Sequence, residues 1–371
     1  MGKRVLVLGG YGNFGAFITR RLARENDLTV IVAGRSALKA RELAGRVGAE
    51  WAPLDVSEGI DGHLKRLKPD ILVHTCGPFQ DQGYGVAEAA IRNGVHYLDL
   101  ADGRRFVAGI AALDGPARAA GVAVVSGAST VPGLTSAVFS RYAPEFAAVD
   151  AIDAGIATAQ KTNRGLATIR AVLSWAGKPF GTLSGGRMCT VHGWQGLRWR
   201  RFRDLGWRPL GHCDVPDLVL FPERVPGLRD VSFGGGLELP VLHLGLWSLT
   251  WLVRLGIVPN LAAAAPAFAR AAQLFDVFGT QDSGFYVEIT GRGPSGRPQR
   301  LVFELTARGG CGPMIPCLPA VVLVLKLARG QARWCGAMPC FGLVALDDLL
   351  SELTQLRVSW EVSRSSLAAG R

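Results

Sequence analysis

Short apolar runs alternate with amphipathic segments over the first third of the chain. Each run is rich in β-branched residues, as in RVLVL at 4–8, and is typical of a buried strand. The segments between them place apolar residues on one helix face, as in AFITRRLARE at 16–25. This order predicts an α/β fold whose first domain is a doubly wound parallel sheet of the Rossmann type. The predicted strands are 4–8, 28–33, 49–55, 70–76, 96–101 and 122–127, and the predicted helices are 16–25, 36–47, 60–68, 84–94 and 105–121.

A different pattern follows. Residues 149–159 alternate like a strand, and 284–307 predict a β-hairpin because two alternating strands flank a turn rich in glycine and proline. Residues 315–330 form an apolar helix that ends at Gly330, and 345–356 form an amphipathic helix. A second, α+β domain with a mixed or antiparallel sheet is therefore expected. The length of 371 residues also favours two domains over one.

Basic residues exceed acidic ones by 41 to 30, which gives a net charge of +11. The segment RWRRFR at 198–203 interleaves aromatic and cationic residues, a pattern found in nucleic-acid-binding proteins. Its polar and apolar residues also alternate, which favours a strand with one solvated face. Arginines elsewhere are scattered and no nucleic-acid-binding motif accompanies them, so we expect no nucleic-acid partner.

The seven cysteines include no CxxC pair, and the closest spacings, Cys311 to Cys317 and Cys335 to Cys340, have no histidine nearby, so no metal site is expected. The N-terminus runs from Met1-Gly2-Lys3-Arg4 straight into a strand-like segment, without the features of a signal peptide. We therefore expect reduced thiols in a cytoplasmic protein.

Residues 240–253, PVLHLGLWSLTWLV, are almost uncharged but too few to span a bilayer, which requires about twenty residues. A buried helix or a subunit contact is the first interpretation. We expect a homodimer, because the second domain is large and apolar. The alternative is a peripheral membrane contact through 240–270, because bulky apolar residues and Arg254 suit a membrane surface.

The first strand leads into GGYGNFG and then into a helix. Gly10, Gly12 and Gly15 form the pattern G-x-G-x-x-G in the strand–turn–helix context that dinucleotide binding requires. The first glycine permits a tight turn, the second lets the backbone approach a diphosphate, and the third lets helix and strand pack closely. The N–H groups that open the helix would face the phosphates. The predicted contacts here are Gly10, Gly12, Asn13, Phe14 and Gly15.

Arg35 and Ser36 stand at the end of the second strand, where an NAD-binding fold usually has a carboxylate on the adenosine ribose. A carboxylate would repel a 2′-phosphate, whereas a guanidinium can bind it through two hydrogen bonds. Lys39 follows one helical turn later. The sequence therefore predicts NADP(H) rather than NAD(H). Asp55 and Val56, after the third strand, are expected near the adenine.

Three segments resemble the saccharopine dehydrogenase family, most closely its bacterial saccharopine dehydrogenase-like oxidoreductases. They are GGYGNFG with the AGRS strand end, the block HTCGPFQDQGYGVAEAAIRNGVHYLDLADGRRFV at 74–107, and SGASTVPGLTS at 126–136. The resemblance implies an NADP-binding domain at 1–133, a substrate and dimerisation domain at 134–314, and C-terminal helices at 315–371 that pack back on the first domain. It also implies that Cys76, Gly77, Pro78 and Phe79 line the nicotinamide and diphosphate region.

Ligands bind outside the carboxyl ends of the strands in such a sheet, which selects candidate catalytic residues. Reduction of a carbonyl or imine requires a proton donor, and a carboxylic acid with a raised pKa can serve. Asp102 is the first candidate, with Asp99 and Tyr97 as alternatives at the end of the fifth strand. The competing interpretation is that both acids cap the helix beginning near Arg104. His74, inside a strand, is expected to be a core residue.

The resemblance implies a nicotinamide oxidoreductase more strongly than it implies saccharopine as the substrate. Saccharopine enzymes need cations for the substrate carboxylates, and Arg164, Arg170 and Arg198 are the candidates in this chain. Two alternatives stay open. One is an enoyl reductase that acts on lipid or polyketide intermediates, and the other is a protein that binds NADP as a sensor or structural subunit without catalysis.

Overall fold

The computed structural model describes residues 2–80, 82–162 and 165–366, so Arg164 lies outside the described residues. The chain forms two compact units. One contains the chain up to Leu134 together with Met314–Val344. The other contains Thr135–Pro313 and the chain from Ala345 onward.

A seven-stranded parallel sheet forms the centre of the first unit. Numbered along the chain, its strands are β1 (Lys3–Leu8), β2 (Leu28–Gly34), β3 (Glu50–Pro53), β4 (Ile71–His74), β5 (His96–Asp99), β6 (Ala123–Ser126) and β15 (Gly336–Pro339). They lie in the order β15-β6-β5-β4-β1-β2-β3, and all neighbours run parallel. The predicted doubly wound sheet is confirmed. The strand order reverses at β1 and β4, the place where such sheets bind ligands.

The strands of this sheet are apolar runs because helices cover both faces. Val5, Leu6 and Val7 of β1 are fully buried. The second helix begins after Ser36, whose side chain caps it, and ends at Gly48 in the left-handed conformation. The helices of this unit are α1 (Asn13–Leu22), α2 (Ala37–Val47), α3 (Asp61–Leu67), α4 (Gly85–Arg92), α5 (Arg104–Gly109), α6 (Asp114–Ala119) and α12 (Leu318–Ala328).

Two predictions for this unit were wrong in detail. The sheet has a seventh strand, β15, which the sequence analysis did not identify. The helix predicted at 105–121 is divided into α5, a 3-10 turn at Ile110–Leu113 and α6. Gly109 ends α5, and Pro116 has no N–H to donate to a continuous helical ladder.

The second unit contains a mixed sheet and a separate hairpin. The prediction of an α+β domain with a mixed sheet is confirmed. Across the sheet the order is β10-β11-β12-β7-β13-β14-β16, with the hairpin formed by β8 and β9. Strands β12 and β7 run parallel and the other neighbours run antiparallel. The strands are β7 (Ala148–Thr158), β8 (Pro179–Ser184), β9 (Arg187–His192), β10 (Arg198–Phe202), β11 (Gly206–His212), β12 (Asp230–Leu237), β13 (Ser283–Arg292), β14 (Pro298–Ala307) and β16 (Val358–Ser366).

The remaining helices complete the two units. The helices of the second unit are α7 (Thr135–Tyr142), α8 (Leu166–Trp175), α9 (Asp217–Arg224), α10 (Pro240–Arg254), α11 (Ala265–Gln273) and α13 (Leu346–Leu353). The other short 3-10 helices of the chain are Val56–Glu58, Ala143–Glu145, Ala262–Ala264, Asp276–Phe278 and Gly312–Cys317.

The C-terminal segment differs from its prediction. Residues 315–371 were expected to pack as helices on the first domain, and α12 and β15 do belong to the first unit. Helix α13 and strand β16 belong to the second unit instead. The reason is that β16 extends the mixed sheet by pairing along its whole length with β14.

The apolar segment 240–253 is the helix α10, but it is not a buried helix, because the side chains of Val241, Leu244, Trp251 and Leu255 are exposed. Within the described residues, no helix combines the length and apolar character that crossing a bilayer requires. The segment RWRRFR lies largely in β10, an edge strand with one exposed face. The alternation placed the arginines on that face, and this is wrong: Trp199 and Arg201 are exposed, whereas Arg198 and Arg200 are half-buried in ion pairs.

Candidate functional site

A glycine-rich turn joins β1 to α1 at the carboxyl end of the parallel sheet. A Cβ atom on Gly15 would lie 2.2 Å from the carbonyl oxygen of Gly9, and one on Gly10 would lie 2.8 Å from that of Val7. The helix begins after Gly12, which offers no side chain to cap the first turn. The backbone N–H groups at this helix end can therefore face an anion, as the GxGxxG pattern predicts.

The end of β2 lies against this turn through Tyr11, a residue that the sequence analysis did not identify. A Cβ atom on Gly34 would lie 2.5 Å from the ring of Tyr11. The Tyr11 hydroxyl oxygen accepts a hydrogen bond from the backbone N–H of Ser36 at 2.8 Å. The Ser36 hydroxyl in turn accepts from the N–H of Lys39 at 3.4 Å and caps α2. The glycine turn and the start of α2 are thus held together by one aromatic side chain.

Arg35 is exposed beside these groups, and its charge acts on the ends of neighbouring strands. The N–H and hydroxyl of Ser57 donate to Asp55 and lower its pKa, and Arg35 lowers that pKa further. Burial raises the pKa of the Cys76 thiol to about 11, against the opposing effect of Arg35. The charge of Arg35 therefore affects both Asp55 and Cys76. The side chain of Cys76 is a neutral thiol near pH 7.

The loop after β4 carries Cys76, Gly77, Pro78 and Phe79. Gln82 holds this loop, because its side-chain amide donates to the carbonyl oxygens of Cys76 and Pro78, both at 2.7 Å. Phe79 is buried, while Gly77 and Pro78 are exposed. The backbone of the loop is thus open to a ligand at the carboxyl end of β4.

A buried hydrogen bond joins β4 to β5 behind that loop. Nδ1 of His74 is hydrogen-bonded to the hydroxyl of Tyr97 at 3.1 Å, and the His74 ring meets that of Phe79 edge-on, with centroids 5.1 Å apart. Burial lowers the pKa of His74 to about 4, so the imidazole is neutral. His74 is fully enclosed, as expected of a core residue.

Asp99 ties together the loops that follow β5 and β6. Its Oδ1 accepts hydrogen bonds from the N–H of Ala101 at 2.9 Å, the N–H of Gly127 at 2.8 Å and the hydroxyl of Ser126 at 2.9 Å. Burial raises the pKa of Asp99 to about 6 in spite of these donors. Asp99 and Tyr97 are both enclosed by protein.

Asp102 is the exposed member of the predicted catalytic set. Its Oδ1 accepts from the side-chain amide of Gln80 at 3.0 Å. The capping interpretation of the two acids is wrong, because α5 begins after Gly103 and no side chain caps it. Asp102 is therefore available to a ligand at the carboxyl end of β5.

The second unit contains a charged cluster on one face of its sheet. Arg198 donates to Asp153 at 2.6 Å and to the hydroxyl of Tyr286 at 2.9 Å. Glu288 accepts from Arg200 at 2.9 Å and from two nitrogens of Arg300 at 2.6 and 2.7 Å. Arg198, predicted as a cation for substrate carboxylates, is thus paired within the protein. Arg170 is exposed.

Comparison with known proteins agrees with a dinucleotide-binding first unit. Residues 5–125 match the family described as the saccharopine dehydrogenase NADP binding domain. Among solved structures, an apo, histidine-tagged saccharopine dehydrogenase (L-Glu forming) from Saccharomyces cerevisiae aligns with a TM-score of 0.68 and 14% identity. The alignment covers 98% of this chain and 100% of the yeast chain. At this identity the likeness shows a shared fold.

Two further solved structures are more distant. An amine dehydrogenase from Mycobacterium smegmatis aligns with a TM-score of 0.47 and 11% identity, covering 94% of this chain and 96% of its own. GenD2 from gentamicin A biosynthesis, in complex with NAD, aligns with a TM-score of 0.44 and 12% identity, covering 99% and 97%. Neither is close enough to carry an argument. The predicted resemblance to the saccharopine dehydrogenase family is confirmed, because residues 5–125 match the family of its NADP-binding domain and the yeast enzyme has the same fold.

Proposed function

We propose that the chain is an NADP(H)-dependent oxidoreductase that transfers hydride to or from a small-molecule imine, carbonyl or enoyl substrate. The observation that carries the proposal is the exposed guanidinium of Arg35 at the end of β2, beside the glycine-rich turn. An NAD-binding domain usually has a carboxylate at that place.

The residues present fit a phosphorylated dinucleotide. Glycine at position 15 leaves no Cβ atom where the helix approaches Gly9, so a diphosphate can lie against the backbone N–H groups that open α1. Arg35 and the Ser36 hydroxyl can bind a phosphate on the adenosine ribose, and Asp55 and Val56 would border the adenine. The loop Cys76–Phe79 would border the nicotinamide. When bound, the cofactor supplies or accepts the hydride.

The chain itself supplies the proton and the geometry. We propose Asp102 as the proton donor or acceptor, because it is exposed and is oriented by Gln80. Asp99 and Tyr97 are enclosed, so we propose that they act as positioning residues. Asp99 fixes the backbone at Ala101, next to Asp102, and the backbone at Gly127.

Titration of intrinsic fluorescence with NADPH and NADH tests the cofactor assignment. The wild type should bind NADPH at least about tenfold more tightly, since a charge-assisted phosphate contact contributes about 1.5–3 kcal/mol. Arg35→Glu should abolish or reverse this preference. Arg41→Glu makes the same charge change at an exposed position of α2 and should preserve it. Equal affinity of the wild type for both cofactors would contradict the proposal.

NADPH oxidation across a panel of carbonyl, imine and enoyl compounds tests for catalysis. For any substrate found, Asp102→Asn should lower kcat by about 10²-fold or more and leave NADPH affinity unchanged. Tight NADPH binding without turnover of any panel member would favour the sensor hypothesis instead.

A further inference from the structure

The helix α10 leaves a set of apolar side chains exposed. His243, Leu246 and Thr250 are buried on its inner side. Val241, Leu244 and Trp251 are exposed, as is Leu255 directly after the helix. The outward residues are spaced by three, seven and four positions, so they form one stripe along the helix. The side chain of Leu255 keeps 67% of its surface exposed.

Hydrogen bonds hold the helix in this rotation. Nδ1 of His243 accepts from the N–H of Leu237 at 3.4 Å. The hydroxyl of Thr250 donates to the carbonyl oxygen of Trp247 at 2.6 Å and accepts from the side-chain amide of Gln195 at 3.3 Å. Turning the apolar stripe inward would break the contacts with Leu237 and Gln195 and expose the buried Leu246, so the stripe is a fixed surface of the folded unit.

Between Glu238 and Asp276 the chain carries charge of a single sign. Residues 239–275 contain two arginines, Arg254 and Arg270, and no aspartate or glutamate. Both arginines are exposed, and the guanidinium carbon of Arg254 lies 4.7 Å from the centroid of the Trp251 ring. The chain as a whole carries a net charge of +11. An aromatic ring and a guanidinium at the edge of an apolar surface are typical of a lipid interface.

We infer that α10 binds the surface of an anionic lipid bilayer, with its apolar stripe inserted among the acyl chains and its arginines at the headgroups. The helix has 15 residues and is about 22 Å long, too short to span the hydrocarbon core. A second copy of the chain fits less well, because its segment 239–275 offers no carboxylate to Arg254 or Arg270. Anionic headgroups neutralise both arginines. This inference is independent of the nicotinamide cofactor.

Vesicle flotation of the full chain tests the inference. At low salt the protein should float with vesicles of phosphatidylcholine mixed with phosphatidylglycerol, and less with phosphatidylcholine alone. Leu255→Glu should lower the bound fraction by about tenfold or more. It removes a leucine that the membrane would bury, and it adds a negative charge that the anionic headgroups repel. Leu38→Glu is the matched control, since Leu38 of α2 is also 67% exposed, and it should float like the wild type.

Circular dichroism should show that both variants are folded. If Leu255→Glu does not fold, Ile257→Glu, also at an exposed position, provides a second test. Failure of the wild type to float with anionic vesicles would overturn the inference, as would equal flotation of the wild type and the α10 variant. Light scattering, which measures the mass in solution, tests whether a second copy of the chain covers the stripe instead. A wild-type dimer that becomes monomeric in Leu255→Glu would assign the stripe to that second copy.

Discussion

The hydroxyl oxygen of Tyr11 accepts a hydrogen bond from the backbone N–H of Ser36, with 2.8 Å between oxygen and nitrogen. This bond joins the glycine-rich turn to the start of α2. The two residues are 25 positions apart, yet they set the distance between the proposed diphosphate and 2′-phosphate contacts. A change at Tyr11 should therefore affect the phosphorylated cofactor more than the unphosphorylated one.

Tyr11→Phe should weaken NADPH binding by about 5–10-fold, the equivalent of one hydrogen bond, and weaken NADH binding less. Fluorescence titration measures both affinities. Tyr84→Phe is a suitable control, because the Tyr84 hydroxyl donates to the carbonyl of Phe106 at 2.8 Å in the same unit but away from the turn. An equal loss for both cofactors would show that Tyr11 has only a general structural role.

Gly15→Ala should destabilise the fold by at least about 2 kcal/mol, because the added Cβ would lie 2.2 Å from the carbonyl oxygen of Gly9. Gly45→Ala, inside α2, meets no atom within 4 Å and should stabilise by about 0.5–1 kcal/mol. Urea unfolding measures both values. Similar stability of the two variants would show that the turn relaxes around Gly15.

The buried carboxyl of Asp99 should make stability depend on pH in mildly acid solution. Its folded-state pKa of about 6 lies above the usual 3.8, so between these values the folded protein binds the extra proton. The unfolding free energy should therefore fall as pH rises from about 4 to about 6 and stay level above that, a change of about 3 kcal/mol. Asp99→Asn should lack this component, so the difference between wild type and variant isolates it. A difference that is constant with pH would contradict the raised pKa.

Glu288→Gln should cost about 2 kcal/mol or more, because it leaves the charges of Arg200 and Arg300 without their carboxylate in a partly buried cluster. Glu145→Gln breaks an ion pair with Arg364 that is more exposed, and it should cost less than about 1 kcal/mol. Thermal unfolding of the two variants gives the comparison. If the order of the two costs is reversed, the cluster does not stabilise the sheet.

The six strands predicted in the first unit have strong local signals, since their apolar runs are interrupted by glycine and by amphipathic segments. The strand β15 could not be predicted in this way. Its residues, GAMP, include no β-branched side chain, and its conformation depends on pairing with β6 more than two hundred residues earlier. Strand β16 likewise lies beyond the last helix that the local pattern predicts, in the stretch for which the resemblance implies helices, and its partner is β14.

In the candidate site, too, residues set by local sequence could be predicted, and residues set by contacts of the folded chain could not. The glycines and Arg35 follow from motif spacing, because they lie within two adjacent strand–turn–helix units. Gln82 and Tyr11 follow from no motif, since each acts through a contact made by the folded backbone. The exposure of Asp102 and the enclosure of Asp99, three residues apart, likewise depend on the loops packed around them.

The interleaved order of the two units has a consequence for synthesis. The first sheet gains its edge strand β15 only when residues 336–339 emerge from the ribosome, and the second sheet gains β16 only with residues 358–366. The first unit is complete only at Val344, after Thr135–Pro313 of the second unit has been made, and the second unit is completed last. A nascent chain halted at Pro313 would display two unfinished sheet edges, each a template for aggregation.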